Sequence, residues 1–320
     1  MLNFFKSLFS GQTEKPIENN QPQNNKKDFE ILKYDGLRAQ RIGHIDYAVK
    51  CFSEALALEK DFETMGYLSQ VYQQIGELPK AKALLQEMIN MEPHMTETLL
   101  SLSNVCFIEE DYSGMEEAAH SVLTIDKENA TAYFFLGKAR KGQKDDLMAI
   151  AHLTKAILFK DDFIEARLLR ANILIEMQQV QEAMEDVTNI LHLHPEEENA
   201  LLVRARIKEI NQNNEEAEND YRLITTLNPF NEEAYLQLGR MFIANKKLEE
   251  AITLFDEAIE LNPNFAKGYH ERGRAKLLHG DKAGSMEDMK KSLELNPKEE
   301  ALLNGAFNNQ QAPSTDILGL

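Results

Sequence analysis

The sequence predicts an all-α fold, a solenoid of helix–turn–helix hairpins, and three observations carry that reading. In Glu232–Phe265, Tyr235, Leu236, Leu238, Met241 and Phe242 form one apolar stripe at helical spacing. Leu254, Phe255, Ala258, Ile259 and Leu261 form a second, with Asn245, Lys246 and Lys247 between them as a tight turn. The pattern recurs in phase and without interruption over residues 29–299. The composition agrees: 15 Gly, 9 Pro and no Trp among 320 residues suit a helical chain. Length alone would suggest two domains, but repeats override it, because a solenoid grows by adding hairpins that bury their stripes against one another.

The chain divides into three parts. Residues 1–28 hold an apolar start, MLNFFKSLFS, followed from residue 11 by a stretch rich in Asn, Gln, Pro and Lys that is expected to be a flexible linker. The start is too short in its apolar core for a secretory signal and has no small-residue cleavage site. It reads as a short helix that docks on the first repeat or frays, or as an interfacial helix for a membrane or a partner; Lys6 alone among its ten residues is basic, so attraction to anionic lipid is weak. Eight repeats follow, at 29–61, 62–95, 96–129, 130–163, 164–197, 198–231, 232–265 and 266–299. In the last part, 300–320, Glu300 to Asn304 are expected to form a short capping helix stopped at Gly305. The remainder is expected to be a disordered tail or a docking peptide.

Numbering each repeat from its first residue makes the columns comparable. Position 8 is Gly36, Gly137, Ala171, Ala205, Gly239 and Gly273 in the first and the fourth to eighth repeats, and position 20 is Ala48, Ala81, Ala149, Ala183, Ala217 and Ala251, with Met115 and Ser285 as departures. Small residues are expected where the two helices of a hairpin cross closely. Proline at position 32 (Pro93, Pro195, Pro229, Pro263, Pro297) ends the second helix and re-aims the chain. Tyr235, Leu238, Gly239, Phe242, Ala251, Phe255, Ala258 and Pro263 together match the tetratricopeptide pattern, and the chain resembles bacterial tetratricopeptide-repeat adaptor proteins. That resemblance implies a right-handed superhelix in which the first helix of each pair lines a concave groove, with positions 2, 5, 6, 9, 12 and 13 facing inward.

Two column patterns stand out. Position 7 is Arg170, Arg204 and Arg272 in the fifth, sixth and eighth repeats, and those repeats alone carry aspartate at position 23: Asp186, Asp220 and Asp288. An arginine between the helices is costly unless paired, so three buried Arg–Asp pairs are expected to hold hairpin geometry. The second pattern is inward-facing. Position 9 runs through Asn104, Lys138, Asn172, Arg206, Arg240 and Arg274, while positions 5 and 6 supply Phe134, Phe135 and Leu168, and position 2 is mostly glutamate. Either the arginine column pairs with the glutamate column, or the face forms a groove for a peptide with acidic and apolar residues. In the groove, carboxylates would meet Lys138, Arg206, Arg240 and Arg274, and Asn104 and Asn172 would hold backbone amides. The clamp by which some tetratricopeptide co-chaperones grip an EEVD tail needs Lys at 5 and Asn at 9 of one repeat. Here Lys33 is followed by Leu37, which departs from it.

The net charge of −18 disfavours general nucleic-acid binding. Cys51 and Cys106 fall at different repeat positions, so no disulfide is expected. His192 and His194 do not share a helical face, and no phosphate loop or nucleophile elbow occurs. The expectation is a non-enzymatic, cytoplasmic adaptor without a cofactor or metal, binding a protein or peptide. The alternatives are a membrane-associated assembly factor recruited by residues 1–10 and a self-associating scaffold.

Overall fold

The computed structural model describes residues 21–297, and all regular secondary structure among them is α-helix. The chain forms two compact units, meeting in sequence between Asp161 and Asp162. In the first unit, the leading (A) helices are α1 (Gln21–Arg41), α3 (Phe62–Gln74), α5 (Thr96–Ile108) and α7 (Ala130–Gly142), and the following (B) helices are α2 (Ile45–Leu58), α4 (Leu78–Met91), α6 (Tyr112–Ile125) and α8 (Asp146–Phe159). In the second unit, the A helices are α9 (Ile164–Glu176), α11 (Glu198–Ile210), α13 (Glu232–Ala244) and α15 (Ala266–His279), and the B helices are α10 (Val180–Leu193), α12 (Asn214–Leu227), α14 (Leu248–Leu261) and α16 (Lys282–Leu295). Helix α1 already begins at Gln21, inside the stretch expected to be linker. The apolar start, the expected capping helix and the tail lie outside the described residues.

One turn closes every A helix. Position 15 is left-handed in all eight repeats: Gly43, Gly76 and Gly280, and also Glu110, Lys144, Gln178, Gln212 and Lys246, whose φ values run from 57° to 64°. In each, the position-15 N–H bonds the carbonyl at position 12 and the position-16 N–H the carbonyl at position 11, as in Glu77 to Tyr72 at 2.9 Å and Lys247 to Phe242 at 2.8 Å. This is the Schellman arrangement, and it satisfies carbonyls that the helix end leaves open. The next helix then starts on a side-chain cap in several repeats: Asp111 accepts from the Gly114 N–H at 3.0 Å and Asp145 from that of Met148 at 3.2 Å.

The crossing of A on B explains the small positions. A Cβ on Gly137 would lie 2.7 Å from Leu153 Cγ, and one on Gly36 2.6 Å from the Phe52 ring. Every residue at position 20 is buried, including Met115 and Ser285. In the first unit the buried side chains run as a continuous core from Met65 and Leu85 through Leu102, Val105 and Val122 to Leu136, with a second cluster around Phe52. In the second, Ile173, Ile190, Leu201, Tyr221, Leu238 and Phe255 are all buried. Within each unit successive A helices also touch (α1 on α3, α5 on α7, α9 on α11, α13 on α15), and no successive pair of B helices packs as closely. The A side is therefore the inner side of each unit.

Candidate functional site

The three arginines at position 7 each meet the aspartate at position 23 of the same hairpin. Arg170 donates through Nε and Nη2 to Asp186 at 2.8 and 2.6 Å, Arg204 to Asp220 at 2.9 and 2.7 Å, and Arg272 to Asp288 at 2.9 and 2.6 Å. All three aspartates are buried. A second cation attends each: Arg167 on Asp186 at 3.3 Å, Lys208 on Asp220 at 2.8 Å and Lys276 on Asp288 at 2.9 Å. Sequence reasoning missed these. The signal was present, because Lys208 and Lys276 occupy position 11, where the pattern has Tyr or Phe and where Phe242 sits in the seventh repeat.

The inward residues of the first unit sit on α5 and α7. Phe134 is half-buried, but Phe135 is only 9% exposed and belongs to the core. Phe135 is expected from the sequence as a docking side chain beside Phe134, and its place in the core takes it away from that face. Lys138 lies over the Phe107 ring at 3.3 Å and the Phe134 ring at 5.5 Å, with no carboxylate beside it among the described residues. Burial pushes its ammonium below the usual lysine range. Asn104 donates to Gln73 Oε1 at 3.5 Å across α3 and α5. Lys33 is engaged by Asp61 at 3.0 Å and Glu63 at 2.5 Å, so the one lysine placed at a clamp position is already neutralised.

In the second unit Leu168 and Asn172 are half-buried on α9. Arg206 on α11 is half-buried and makes no hydrogen bond or ion pair among the described residues. It lies near Glu209, whose carboxyl is pushed up by burial and which accepts from the Tyr221 hydroxyl at 3.0 Å. Arg240 and Arg274 do not reach the glutamates of position 2. Both bind Glu271, Arg240 Nε at 2.8 Å and Arg274 Nη1 at 3.3 Å. Glu233 accepts instead from Gln237, at 2.6 Å on its own helix. The inward arginines thus meet position 6 of α15, one helical turn beyond position 2.

Among the described residues no helix is long and apolar enough to cross a membrane, and no group of His, Cys, Asp and Glu is arranged to hold a metal. The TPR repeat family profile matches residues 239–280. No curated protein matches the sequence. Several solved structures resemble the chain. A tetratricopeptide repeat protein from Parabacteroides merdae is 18% identical, with a TM-score of 0.58 over 76% of this chain and 96% of its own. A structure of Pseudomonas aeruginosa pilF is 14% identical, with a TM-score of 0.52 over 64% and 94%. The APC/C hetero-tetramer Cut9–Hcn1 gives 14% identity and a TM-score of 0.55 over 81% of this chain and 51% of that one. At such identities the likeness is one of fold.

Proposed function

We propose that the chain is a tetratricopeptide-repeat scaffold, a non-enzymatic, cytoplasmic adaptor that holds a protein or peptide partner against its A-helix faces; the repeat profile over residues 239–280 and the fold shared with a solved tetratricopeptide repeat protein support this. One observation carries the proposal. Lys138 is a half-buried cation resting on Phe107 and Phe134, and no carboxylate among the described residues compensates its desolvation. A partner that placed a carboxylate there and an apolar side chain on Phe134 would relieve that cost. Arg206 repeats the theme in the second unit, as an inward cation without an ion pair among the described residues.

The test is capture of a partner from native lysate by the intact chain beside a variant carrying Phe134→Ala, Lys138→Met and Arg206→Glu, after circular dichroism shows both equally folded. Arg240 is left intact, because a charge reversal there would set a second anion against the buried Glu271. Loss of the captured protein from the variant supports the proposal. Identical sets of captured proteins would overturn it and move the search to the B helices.

A further inference from the structure

In the second unit a buried carboxylate orients two exposed guanidiniums. Glu271 stands at position 6 of its repeat, where Phe135, Leu169 and Val203 stand in three earlier ones, and its side chain is 5% exposed. Arg240 on α13 holds Oε1 through Nε, and Arg274 on α15 holds Oε2 through Nη1. The two arginines are themselves 42% and 52% exposed.

The trio differs from the closed pairs of the same unit. Arg204 spends Nε and Nη2 on one aspartate, a completed fork. Arg240 and Arg274 each spend one nitrogen on Glu271, and their other nitrogens have no protein partner among the described residues. Two guanidiniums against one carboxylate leave one positive charge in excess. We infer that Arg240 and Arg274, oriented by Glu271 as a positioning residue, form a receptor for one carboxylate of the partner, an aspartate or glutamate side chain. This rests on the proposed adaptor reading and adds the chemistry that the second unit recognises.

The geometry favours a carboxylate. Open guanidinium nitrogens pair bidentately with a planar carboxylate, and a single negative charge balances the trio, whereas a phosphate dianion does not. Glu271 also lowers the cost of ordering the ligand contacts, since both arginines are already held before a ligand arrives.

The experiment measures anisotropy of a fluorescein-labelled octapeptide of alternating Leu and Glu with the full chain. The Leu/Gln octapeptide is the control and inorganic phosphate the competitor. The acidic peptide should bind about tenfold more tightly than its amide counterpart, the scale of hydrogen bonds to charged groups. Arg240→Lys keeps the charge and lacks the fork, and should lose most of that preference. Glu271→Gln makes the site more positive, yet should weaken binding because one arginine is released.

Unchanged binding by Arg240→Lys, or tighter binding by Glu271→Gln, would show that net charge alone acts and would overturn the receptor. Displacement of the acidic peptide by phosphate at equal concentration would overturn the choice of a carboxylate. Should Glu271→Gln fail to fold, Arg240→Lys, at an exposed residue, still decides. If the Phe134 and Lys138 substitutions release a captured partner while the octapeptide shows no acidic preference, this receptor fails and the adaptor reading stands.

Discussion

Arg204 and Asp220, sixteen residues apart on the two helices of one hairpin, are joined by two parallel hydrogen bonds of 2.9 and 2.7 Å. Lys208 adds a third contact to the same aspartate at 2.8 Å. Asp220 is 6% exposed, Lys208 15% and Arg204 29%, so one buried carboxylate is shared by two part-buried cations, with the exposed Glu216 3.7 Å from Lys208 on the outer side. The seventh repeat solves the same packing problem without charge: Leu238, Phe242 and Leu254 occupy the equivalent positions, and all three are buried.

Asp220→Leu should therefore destabilise the second unit by about 3–5 kcal/mol, because it removes the buried carboxylate that both cations share. Replacing Arg204 and Asp220 together should restore only part of it, since Lys208 loses its 2.8 Å partner and keeps only the exposed Glu216 at 3.7 Å. The triple change Arg204→Leu, Lys208→Phe and Asp220→Leu copies the seventh repeat and should recover most of the loss. Urea unfolding of the four proteins checks the order. A double variant as stable as the original would show that Lys208 takes no part.

The helix crossing predicts opposite outcomes for two glycines. A Cβ on Gly239 would run into the ring of Phe255, which is fully buried, so Gly239→Ala should cost about 1–3 kcal/mol through overpacking. Gly66 is also helical, but the nearest atom to its Cβ would be Met88 Cε at 3.6 Å. Gly66→Ala should stabilise by up to about 1 kcal/mol from helix propensity alone. Thermal melts of the two variants should move in opposite directions.

Stability should fall in acid partly through Asp111. The Lys82 ammonium at 2.8 Å, and then the Gly114 N–H, hold its carboxyl below the ordinary value of 3.8. A carboxyl depressed in the folded state adds stability that is complete above its unfolded pKa and is lost as pH falls through the folded one. Lys82 works at the other end. Its bonds to Asp111 and Glu109 raise it above 10.5, so its contribution is complete below that pH and is lost as pH climbs past it. The melting temperature should drop between about pH 5 and about pH 2. Lys82→Met should flatten that drop, and an unchanged slope would place the acid sensitivity elsewhere.

The sequence shows some of this and hides the rest for physical reasons. Position 7 with position 23 is a contact inside one hairpin, at fixed separation, so Arg170, Arg204 and Arg272 could be matched to their aspartates by column. Glu271 was hidden because its partner on α13 lies in the preceding repeat. The offset between neighbouring A helices, which periodicity does not supply, decides that position 9 meets position 6 and not position 2. Phe134 and Phe135 are adjacent and both aromatic, and only the turn of α7 against α5 sends one to the core and leaves the other half-buried. The left-handed turns were hidden for a different reason. Five of the eight carry Glu, Lys or Gln at position 15, so the glycine that normally marks such a turn is missing.

Those five turns yield a further prediction. Glu110, Lys144, Gln178, Gln212 and Lys246 hold φ between 57° and 64°, where a side chain crowds the following carbonyl at a cost of about 1–2 kcal/mol. Glycine has no such penalty, although its freer unfolded chain returns part of the gain. The turn bonds themselves come from backbone atoms, as in Lys144 to Lys141 at 2.9 Å and Asp145 to Arg140 at 2.9 Å, so they survive the substitution. Lys144→Gly and Lys246→Gly should each add about 0.5–1 kcal/mol to the unit that holds them. The reverse change, Gly76→Ala, at φ 76°, should cost a similar amount. Guanidinium unfolding with the three variants side by side tests the point. A loss of stability in both lysine variants would mean that those side chains make contacts outweighing the strain of the turn.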